Sequence, residues 1–355
     1  MMRKIHTSIF TVSIIICLIL PTLNYASAAE NEWVSKADMP TARGYLCVAT
    51  VNEKIYAIGG SGPIGTNEEY DPQNDTWATK TPMPFPEQNF AMAAYQNKIY
   101  CIGGEDKNQV YDPATDTWEI KADMPTARYG AVAQVVEGKI YVISGAKNLG
   151  YNKGIELLNV TEVYDPTTDT WTTKATMLYP TAYASAVIDN KIYVIGSKST
   201  QVYDPTTDTW STCASPLVGL SFGANGLSAA AAATTGEMAP KRIYVYDGTT
   251  LQIYNPYTDS WTNGTAPPTS RQYLGIAVVN DLLYFIGGFK FEPPGFYYDY
   301  ATNEQYTPIG YGIQPTPTES PSTSEFSMMV PIALSGVALV VAVVVVTVYL
   351  KRRRR

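Results

Sequence analysis

A recurring eight-residue motif constrains the fold of this chain more than any other feature. Its clearest copy is Tyr164–Trp171, with the sequence YDPTTDTW. Tyr and Trp favour strands, whereas Asp-Pro opens a turn, so each copy predicts a strand, a turn and a second strand. Four further copies keep the same spacing of Tyr and Trp, namely Tyr70–Trp77, Tyr111–Trp118, Tyr203–Trp210 and Tyr254–Trp261. A sixth, weaker copy is Tyr298-Asp299-Tyr300, with Tyr306 near the tryptophan position.

A second recurring block precedes each copy and predicts another strand. Its clearest form, Lys54–Gly60, alternates with a period of two and ends in paired glycines. Such alternation is typical of a strand with two distinct faces, and the glycines indicate positive φ or a close approach of neighbouring atoms. A Met-Pro pair and a run of small residues come before the block. The block returns near residues 98–104, 139–145, 191–196, 242–248 and 283–288.

The spacing of the repeats predicts a propeller. Consecutive tryptophans, counted from Trp33, lie 39 to 53 residues apart. A unit of about 40 to 50 residues with four strands is the size of a propeller blade, and one such sheet cannot bury both of its faces alone. Six units packed in a ring can do so. We expect the strand around Trp33 to close the ring as the outer strand of the sixth blade, with residues 304–307 as the alternative.

The order of these elements resembles the kelch repeat family. The resemblance rests on a strand that ends in two glycines, a Tyr later in the unit and a Trp seven residues after that Tyr. It covers roughly residues 33–308. It implies an all-β, six-bladed kelch-type β-propeller of four-stranded antiparallel blades. The fifth unit departs most, because a Gly/Ala/Ser-rich run at residues 219–235 replaces its first strand. Residues 147–161 and 219–240 are the longest predicted loops and thus candidate binding loops.

The two ends of the chain predict export and anchoring. Residues 1–29 have the charged start, apolar run and small-residue site of a secretory signal peptide. Residues 30–313 form the predicted propeller, and residues 314–327 a stalk rich in Pro, Thr and Ser. Residues 328–350 carry no charge and predict one transmembrane helix, followed by a basic cytoplasmic tail at 351–355. The protein is therefore expected in the cell membrane as a single-pass protein with its propeller outside. An alternative is a C-terminal sorting signal that is cleaved.

Charge and residue usage exclude several classes of function. Two of the 25 basic residues lie in the signal peptide and five in the tail, which leaves 18 against 32 acidic residues, a net charge of about −14. Such a surface repels nucleic acid. The only histidine, His6, lies in the signal peptide, which excludes catalysis by histidine in the mature chain. We predict no catalytic residue, no metal and no cofactor. The paired aspartates of the motif, such as Asp71 and Asp75, lack the pattern of a calcium loop.

Arginines at corresponding positions in three units are the candidate ligand-binding residues. Arg43, Arg128 and Arg271 each follow a proline by three residues, and Glu87 and Tyr183 hold the corresponding positions in two other units. We expect these side chains near one mouth of the central channel, where guanidinium groups pair well with carboxylate or sulfate. The alternative is that each arginine belongs to the repeat and pairs with a neighbouring acid.

Three sequons are candidate glycosylation sites in an exported protein: Asn74, Asn159 and Asn263.

These features favour a non-catalytic binding or adhesion module for an extracellular glycan or protein partner. The resemblance allows a second hypothesis, an enzyme such as a sugar-acid mutarotase or a sialidase-like protein, which would use the channel-mouth arginines. A third is a structural envelope protein.

Overall fold

The computed structural model describes residues 29–62, 65–150, 154–180, 184–197, 199–218, 230–292 and 296–313. Residues 1–28 of the predicted signal peptide lie outside this part, as do the predicted stalk, transmembrane helix and basic tail. Within the described ranges, no helix has the length and apolarity needed to span a membrane.

The first three blades are consecutive four-stranded antiparallel sheets. Blade 1 contains β2 (Cys47–Val51), β3 (Lys54–Ile58), β4 (Asn67–Asp71) and β5 (Thr76–Lys80). Blade 2 contains β6 (Ala91–Tyr95), β7 (Lys98–Ile102), β8 (Asn108–Asp112) and β9 (Thr117–Lys121). Blade 3 contains β10 (Val132–Val136), β11 (Lys139–Ile143), β14 (Thr161–Asp165) and β15 (Thr170–Lys174), with an inserted hairpin of β12 (Ala146–Asn148) and β13 (Ile155–Leu157).

The last three blades complete the ring. Blade 4 contains β16 (Ala184–Ile188), β17 (Lys191–Ile195), β18 (Thr200–Asp204) and β19 (Thr209–Cys213). Blade 5 contains β20 (Ala230–Ala233), β21 (Ile243–Tyr246), β22 (Leu251–Asn255) and β23 (Ser260–Asn263). Blade 6 contains β24 (Gly275–Val279), β25 (Leu282–Ile286), β28 (Asn303–Thr307) and the N-terminal β1 (Glu32–Lys36), with a hairpin of β26 (Phe289–Glu292) and β27 (Phe296–Asp299).

The closure of the ring confirms the prediction for Trp33. Strand β1 pairs antiparallel with β28, so that Trp33 lies opposite Tyr306. The predicted sixth motif copy at residues 298–306 is wrong, because Tyr298 and Asp299 belong to the inserted hairpin. The true sixth copy is split between the first and the last strand of the propeller, which are far apart in the sequence. Tyr306 supplies its tyrosine, Trp33 its tryptophan, and Asn31 replaces the second aspartate.

The repeated motif clamps one residue between each pair of blades. In blade 1, Asp75 Oδ1 accepts hydrogen bonds from the Tyr70 hydroxyl (2.6 Å) and from the Ala37 N–H (2.8 Å), while Trp77 Nε1 donates to the Ala37 carbonyl (2.8 Å). The rings of Tyr70 and Trp77 lie 5.0 Å apart. The same contacts hold Thr81, Ala122, Ala175 and Ala214, and Asn31 with Trp33 holds Thr265. The motif therefore joins each blade to the one before it.

The core lies between the facing sheets of neighbouring blades. One cluster, for example, packs Ile55 and Ala57 of blade 1 against Tyr284 and Ile286 of blade 6. This arrangement satisfies the requirement that each sheet bury both faces. The paired glycines are also explained at blade 1, where Gly59 has φ +65 and a Cβ there would lie 2.5 Å from a backbone oxygen of Glu87.

Blade 5 corrects one expectation. The small-residue run does not replace the first strand but supplies it, as the four alanines of β20. Alanine has a low strand propensity, but all four side chains pack against the apolar clusters that blade 5 shares with blades 4 and 6.

We predict that Asn31 is needed for stable closure of the ring. Its Oδ1 accepts hydrogen bonds from the Thr265 N–H (2.9 Å) and the Tyr306 hydroxyl (2.8 Å). Asn31→Ala should lower the free energy of unfolding by about 1–3 kcal/mol, because two partners lose their acceptor. Asn31→Asp, which restores the residue of the other blades, should keep full stability. Urea unfolding measures both changes. Equal midpoints for Asn31→Ala and for the control Glu32→Ala, a change at an exposed position of β1, would contradict this role.

Candidate functional site

The antiparallel blades give the propeller two different faces. Connections between the second and third strands, and the links from one blade to the next, lie at one end of the blades; we call this end the loop face. The opposite end carries the tight turns between strands one and two and between strands three and four; we call it the turn face. Both inserted hairpins lie on the loop face, in blades 3 and 6. These blades stand on opposite sides of the six-bladed propeller.

The three predicted arginines lie in three separate buried ion pairs. Arg43 is 0% exposed, and its Nη1 donates to Glu68 Oε2 at 2.5 Å. Its remaining donors reach the carbonyls of Thr41, Gly59 and Ala57 at 2.8–3.0 Å. Burial lowers the pKa of the Arg43 guanidinium, and the bond to Glu68 acts in the opposite direction. Arg128 pairs with Glu162, and Arg271 with Glu304, in the same way.

This geometry corrects the hypothesis that the arginines form a ring that binds a carboxylate or sulfate. The three side chains do not meet in one pocket. Each guanidinium binds a buried glutamate and backbone carbonyls, although Arg128 Nε, unlike that of Arg43 and Arg271, has no hydrogen-bond partner. They hold the end of strand two against strand three within each blade, as the alternative interpretation required. The partner acids were missed, although the repeat carries a signal for them. Two residues before the motif tyrosine stands Glu in blades 1, 3 and 6 and Gln in blades 2, 4 and 5.

The glutamine blades use this position to hold an interblade link. Gln109 accepts a hydrogen bond from the Phe85 N–H (2.9 Å) and donates to the Phe85 carbonyl (2.8 Å). Gln201 holds Tyr179, and Gln252 holds Val218, with the same pair of bonds. The backbone of these three residues is thus fixed, while their side chains are about half exposed on the loop face. Leu178 and Leu217, beside them, are exposed as well.

The two hairpins add further apolar side chains to the loop face. Leu149, Ile155 and Leu157 are exposed on the hairpin of blade 3. The hairpin of blade 6 exposes four aromatic side chains, which are Phe291, Phe296, Tyr297 and Tyr298. Fewer large apolar side chains are exposed on the described turn face, where Met238, Tyr257, Ile309 and Ile313 stand out. Exposed apolar residues are therefore concentrated on the loop face.

The central channel is lined by neutral residues where the structure describes it. The innermost strands of all six blades enclose a cavity of about 190 Å³ towards the loop face and one of about 360 Å³ towards the turn face. Val48, Met92, Ile276 and many alanines form the walls, and the polar side chains include Thr50, Asn89, Gln134 and Ser185. No described residue of this lining is charged.

Glu87 has an unusual environment on the loop face of blade 2. Its carboxylate packs on Gly104, where a Cβ would lie 2.1 Å from Glu87 Oε2. Partial burial, together with the charges of Glu105 and Asp106, raises the pKa of Glu87 to about 7. A carboxyl group with this pKa can exchange a proton near neutral pH. The remaining predicted site residue, Tyr183, lies outside the described residues.

The motif aspartates have structural partners. Asp71 accepts from the backbone of its own turn and pairs with Lys54, while Asp75 belongs to the interblade clamp. The described residues contain no group of His, Cys, Asp and Glu arranged to hold a metal ion. The three sequon asparagines are all exposed: Asn74, Asn159 and Asn263.

Comparisons with known proteins agree with this architecture. The kelch motif matches residues 42–84, 88–125 and 127–178. A solved structure titled "Structure of YjhT" is similar in fold with a TM-score of 0.61 and 16% sequence identity, over 75% of this chain and 95% of the other. At this identity the likeness concerns the fold alone. A comparison with curated proteins found no match.

We predict that the buried arginines stabilise the fold. Arg128→Ala leaves Glu162 buried without its partner and should cost about 3–5 kcal/mol of unfolding free energy. Lys139→Ala, in the same blade, breaks the exposed pair with Asp165 and should cost far less, because water and salt screen that pair. Chemical denaturation compares the two variants. Similar small losses for both would contradict the structural role of Arg128.

We also predict that Glu87 makes stability depend on pH. Its folded pKa of about 7 lies above that of an ordinary glutamate, so its contribution to stability is greatest in acid and is lost as the pH rises to about 7. Glu87→Gln removes this loss and should raise the melting temperature more at pH 8 than at pH 4. Glu53→Gln, a change in an exposed turn, serves as the control. An equal shift at both pH values would show that Glu87 titrates normally.

Proposed function

The chain belongs to the kelch-repeat β-propeller family, and we propose that it is a non-catalytic binding module, displayed at the cell surface, whose loop face binds an extracellular glycan or protein partner. The observation that carries this proposal is the concentration of exposed apolar side chains on the loop face. Exposed apolar side chains are typical of interaction sites where they adjoin one another, as Phe291 and Tyr297 do with ring centroids 5.1 Å apart.

The way in which these side chains are held supports the proposal. Phe85, Tyr179 and Val218 are exposed, yet each has its backbone N–H and carbonyl bound by a buried glutamine. Tyr129 and Gln272 form β-bridges to the bases of the two hairpins. A binding surface gains affinity when its contacts are already fixed before the partner arrives. The loop face has this property.

The described chain ends on the turn face. Gly310 donates to Glu30 and Gly312 donates to the carbonyl of Met238, both on that face. These contacts leave the loop face of the described propeller uncovered by the last described residues.

The alternative enzymatic hypothesis depends on arginines that are engaged in buried ion pairs. A sugar-acid mutarotase or sialidase-like mechanism therefore lacks its carboxylate-binding groups in the described part of the chain. Glu87 is the observation that favours a proton-transfer role. It lies beside two further acids, which would repel a sugar acid. A structural envelope protein in a surface lattice would use such side chains between copies of the chain, so ordered self-assembly of the purified protein would favour that alternative.

We predict that the loop face mediates attachment. Cells expressing the full chain are tested on a panel of glycan-coated and protein-coated surfaces, and protease digestion of intact cells checks that the propeller is displayed. Phe85→Ser with Tyr179→Ser should reduce attachment at least about ten-fold if these side chains are binding anchors. Tyr257→Ser, a matched exposed tyrosine on the turn face, should leave it unchanged.

Two results would contradict the proposal. One is that cells with a displayed propeller attach to none of the surfaces. The other is that Tyr257→Ser reduces attachment as much as the loop-face variant does.

A further inference from the structure

Five aromatic residues form a continuous row from the channel mouth to the hairpin of blade 6. We call this row the aromatic strip, and it consists of Tyr45, Tyr273, Phe289, Tyr297 and Phe291. The Tyr45 and Tyr273 ring centroids lie 4.2 Å apart, and each is 5.0 Å from that of Phe289. Phe289 lies 5.9 Å from Tyr297, which lies 5.1 Å from Phe291. The strip is buried at Tyr273 and Phe289 and exposed at Tyr297 and Phe291.

The alternation of the hairpin separates the strip from its other side. Phe291 pairs directly with Tyr297, and Phe289 with Asp299, so these four side chains share one face. Phe296 and Tyr298 occupy the opposite face, together with the ion pair of Lys290 and Glu292. The strip side is therefore purely aromatic beyond its base, whereas the other side combines aromatic and charged groups.

The base of the hairpin is fixed to two blades. Phe289 forms a β-bridge with Gln272 of the link before blade 6. Asp299 accepts hydrogen bonds from the Gly44 N–H (3.2 Å) and the Ser61 hydroxyl (3.0 Å), both of blade 1. Gly44 is required here, because a Cβ at this position would lie 2.9 Å from the Phe289 ring. The orientation of the strip towards the channel is thus determined by contacts on both sides.

Three residues at the mouth of the channel, beside the aromatic strip, have an unusual backbone conformation. Tyr45 and Tyr273 have φ values of 56 and 53, a conformation that is unusual for bulky residues, and Asn89 has φ 59. Their backbones are linked, since the Tyr45 N–H donates to Tyr273 and the Asn89 N–H donates to Tyr45 at 3.0–3.1 Å. Such conformations persist where surrounding contacts determine them, and they cluster at ligand sites.

The chemistry of the mouth narrows the class of ligand. Tyr45, Tyr273 and Asn89 line the outer cavity, and none of its described residues is charged. Gln134 and Ser185 line it from blades 3 and 4, on the opposite side of the ring, where Gln134 Nε2 donates to Ser185 Oγ at 2.9 Å. The Asn89 amide beside the aromatic rings, with polar groups across the channel, suits a ligand with both hydroxyl groups and apolar C–H faces. A carboxylate or sulfate would find no free cation there, and it would meet a chain whose expected mature form is strongly acidic.

We propose that the aromatic strip binds a neutral glycan, whose pyranose rings stack on Tyr297 and Phe291 while one end of the chain reaches the amide and hydroxyl groups at the channel mouth. This inference rests on the proposed binding function of the loop face and names its ligand class. The hairpin of blade 6 is then the ligand platform, and the apolar residues of the links and of the blade 3 hairpin contribute the wider contact surface.

The test measures binding of the purified protein to immobilised neutral oligosaccharides of glucose, galactose, mannose and N-acetylglucosamine, with sialylated and uronic-acid glycans alongside. At least one neutral glycan should bind, and no acidic glycan should bind more tightly. Tyr297→Ala should weaken that binding about ten-fold or more, as the loss of an aromatic anchor does. Phe296→Ala is the matched control on the opposite face of the same hairpin and should bind as the unchanged protein does.

Binding of acidic glycans alone, of no glycan, or equal losses from Tyr297→Ala and Phe296→Ala would overturn the inference. Circular dichroism of each variant confirms that the propeller is intact. If glycan binding fails while Phe85→Ser with Tyr179→Ser still abolishes cell attachment, the loop face binds a protein partner and only this inference is lost. If attachment is also insensitive to the loop-face variant, the proposed function fails as well.

Discussion

The structure depends on the clamp that each blade places on the link before it. One carboxylate or amide oxygen accepts the N–H of a link residue, and one indole donates to the carbonyl of the same residue, as Asp75 and Trp77 do at Ala37. Net hydrogen-bond energies are small individually, but here they act together with the tyrosine–tryptophan ring contact in every blade. Since each clamp joins two blades, the ring is continuous only if the sixth clamp forms between the first and the last strand of the propeller.

The residues exposed on the loop face can differ from blade to blade, because interactions inside each blade hold the links and loops in place. An Arg–Glu pair or a single glutamine secures the start of strand three, depending on the blade. Burying an ion pair offers little net stability compared with apolar packing, so the two solutions can replace one another in a repeat. The glutamine solution fixes the link backbone directly, which allows that link to carry an exposed apolar side chain such as Phe85 or Tyr179. The buried glutamine inside the blade therefore supports the apolar side chain that is exposed on the loop face.

The sequence predicted the local elements well because the repeat is periodic. The strand blocks, the blade number and closure by Trp33 all follow from spacing and alternation. The sixth motif was misplaced because its parts, Asn31, Trp33 and Tyr306, are distant in sequence, while Tyr298-Asp299 imitates it locally. The role of the arginines could not be predicted locally, because their partner acids lie in another strand. The position of those partners, such as Glu68, was nevertheless visible in the repeat, because Glu occupies it in three blades and Gln in the other three. The aromatic strip joins Tyr45 of blade 1 to the hairpin of blade 6, and no local pattern indicates that contact.

The central claim is that the loop face is the binding face, and oriented immobilisation tests it most directly. A biotin is attached to a cysteine introduced either at Gln96, in a turn of blade 2 on the turn face, or at Glu105, in the same blade on the loop face. Both positions are exposed. Beads that hold the protein through position 96 should attach to a glycan-coated or protein-coated surface, and beads that hold it through position 105 should not. Equal attachment in both orientations, or attachment only through position 105, would contradict the account.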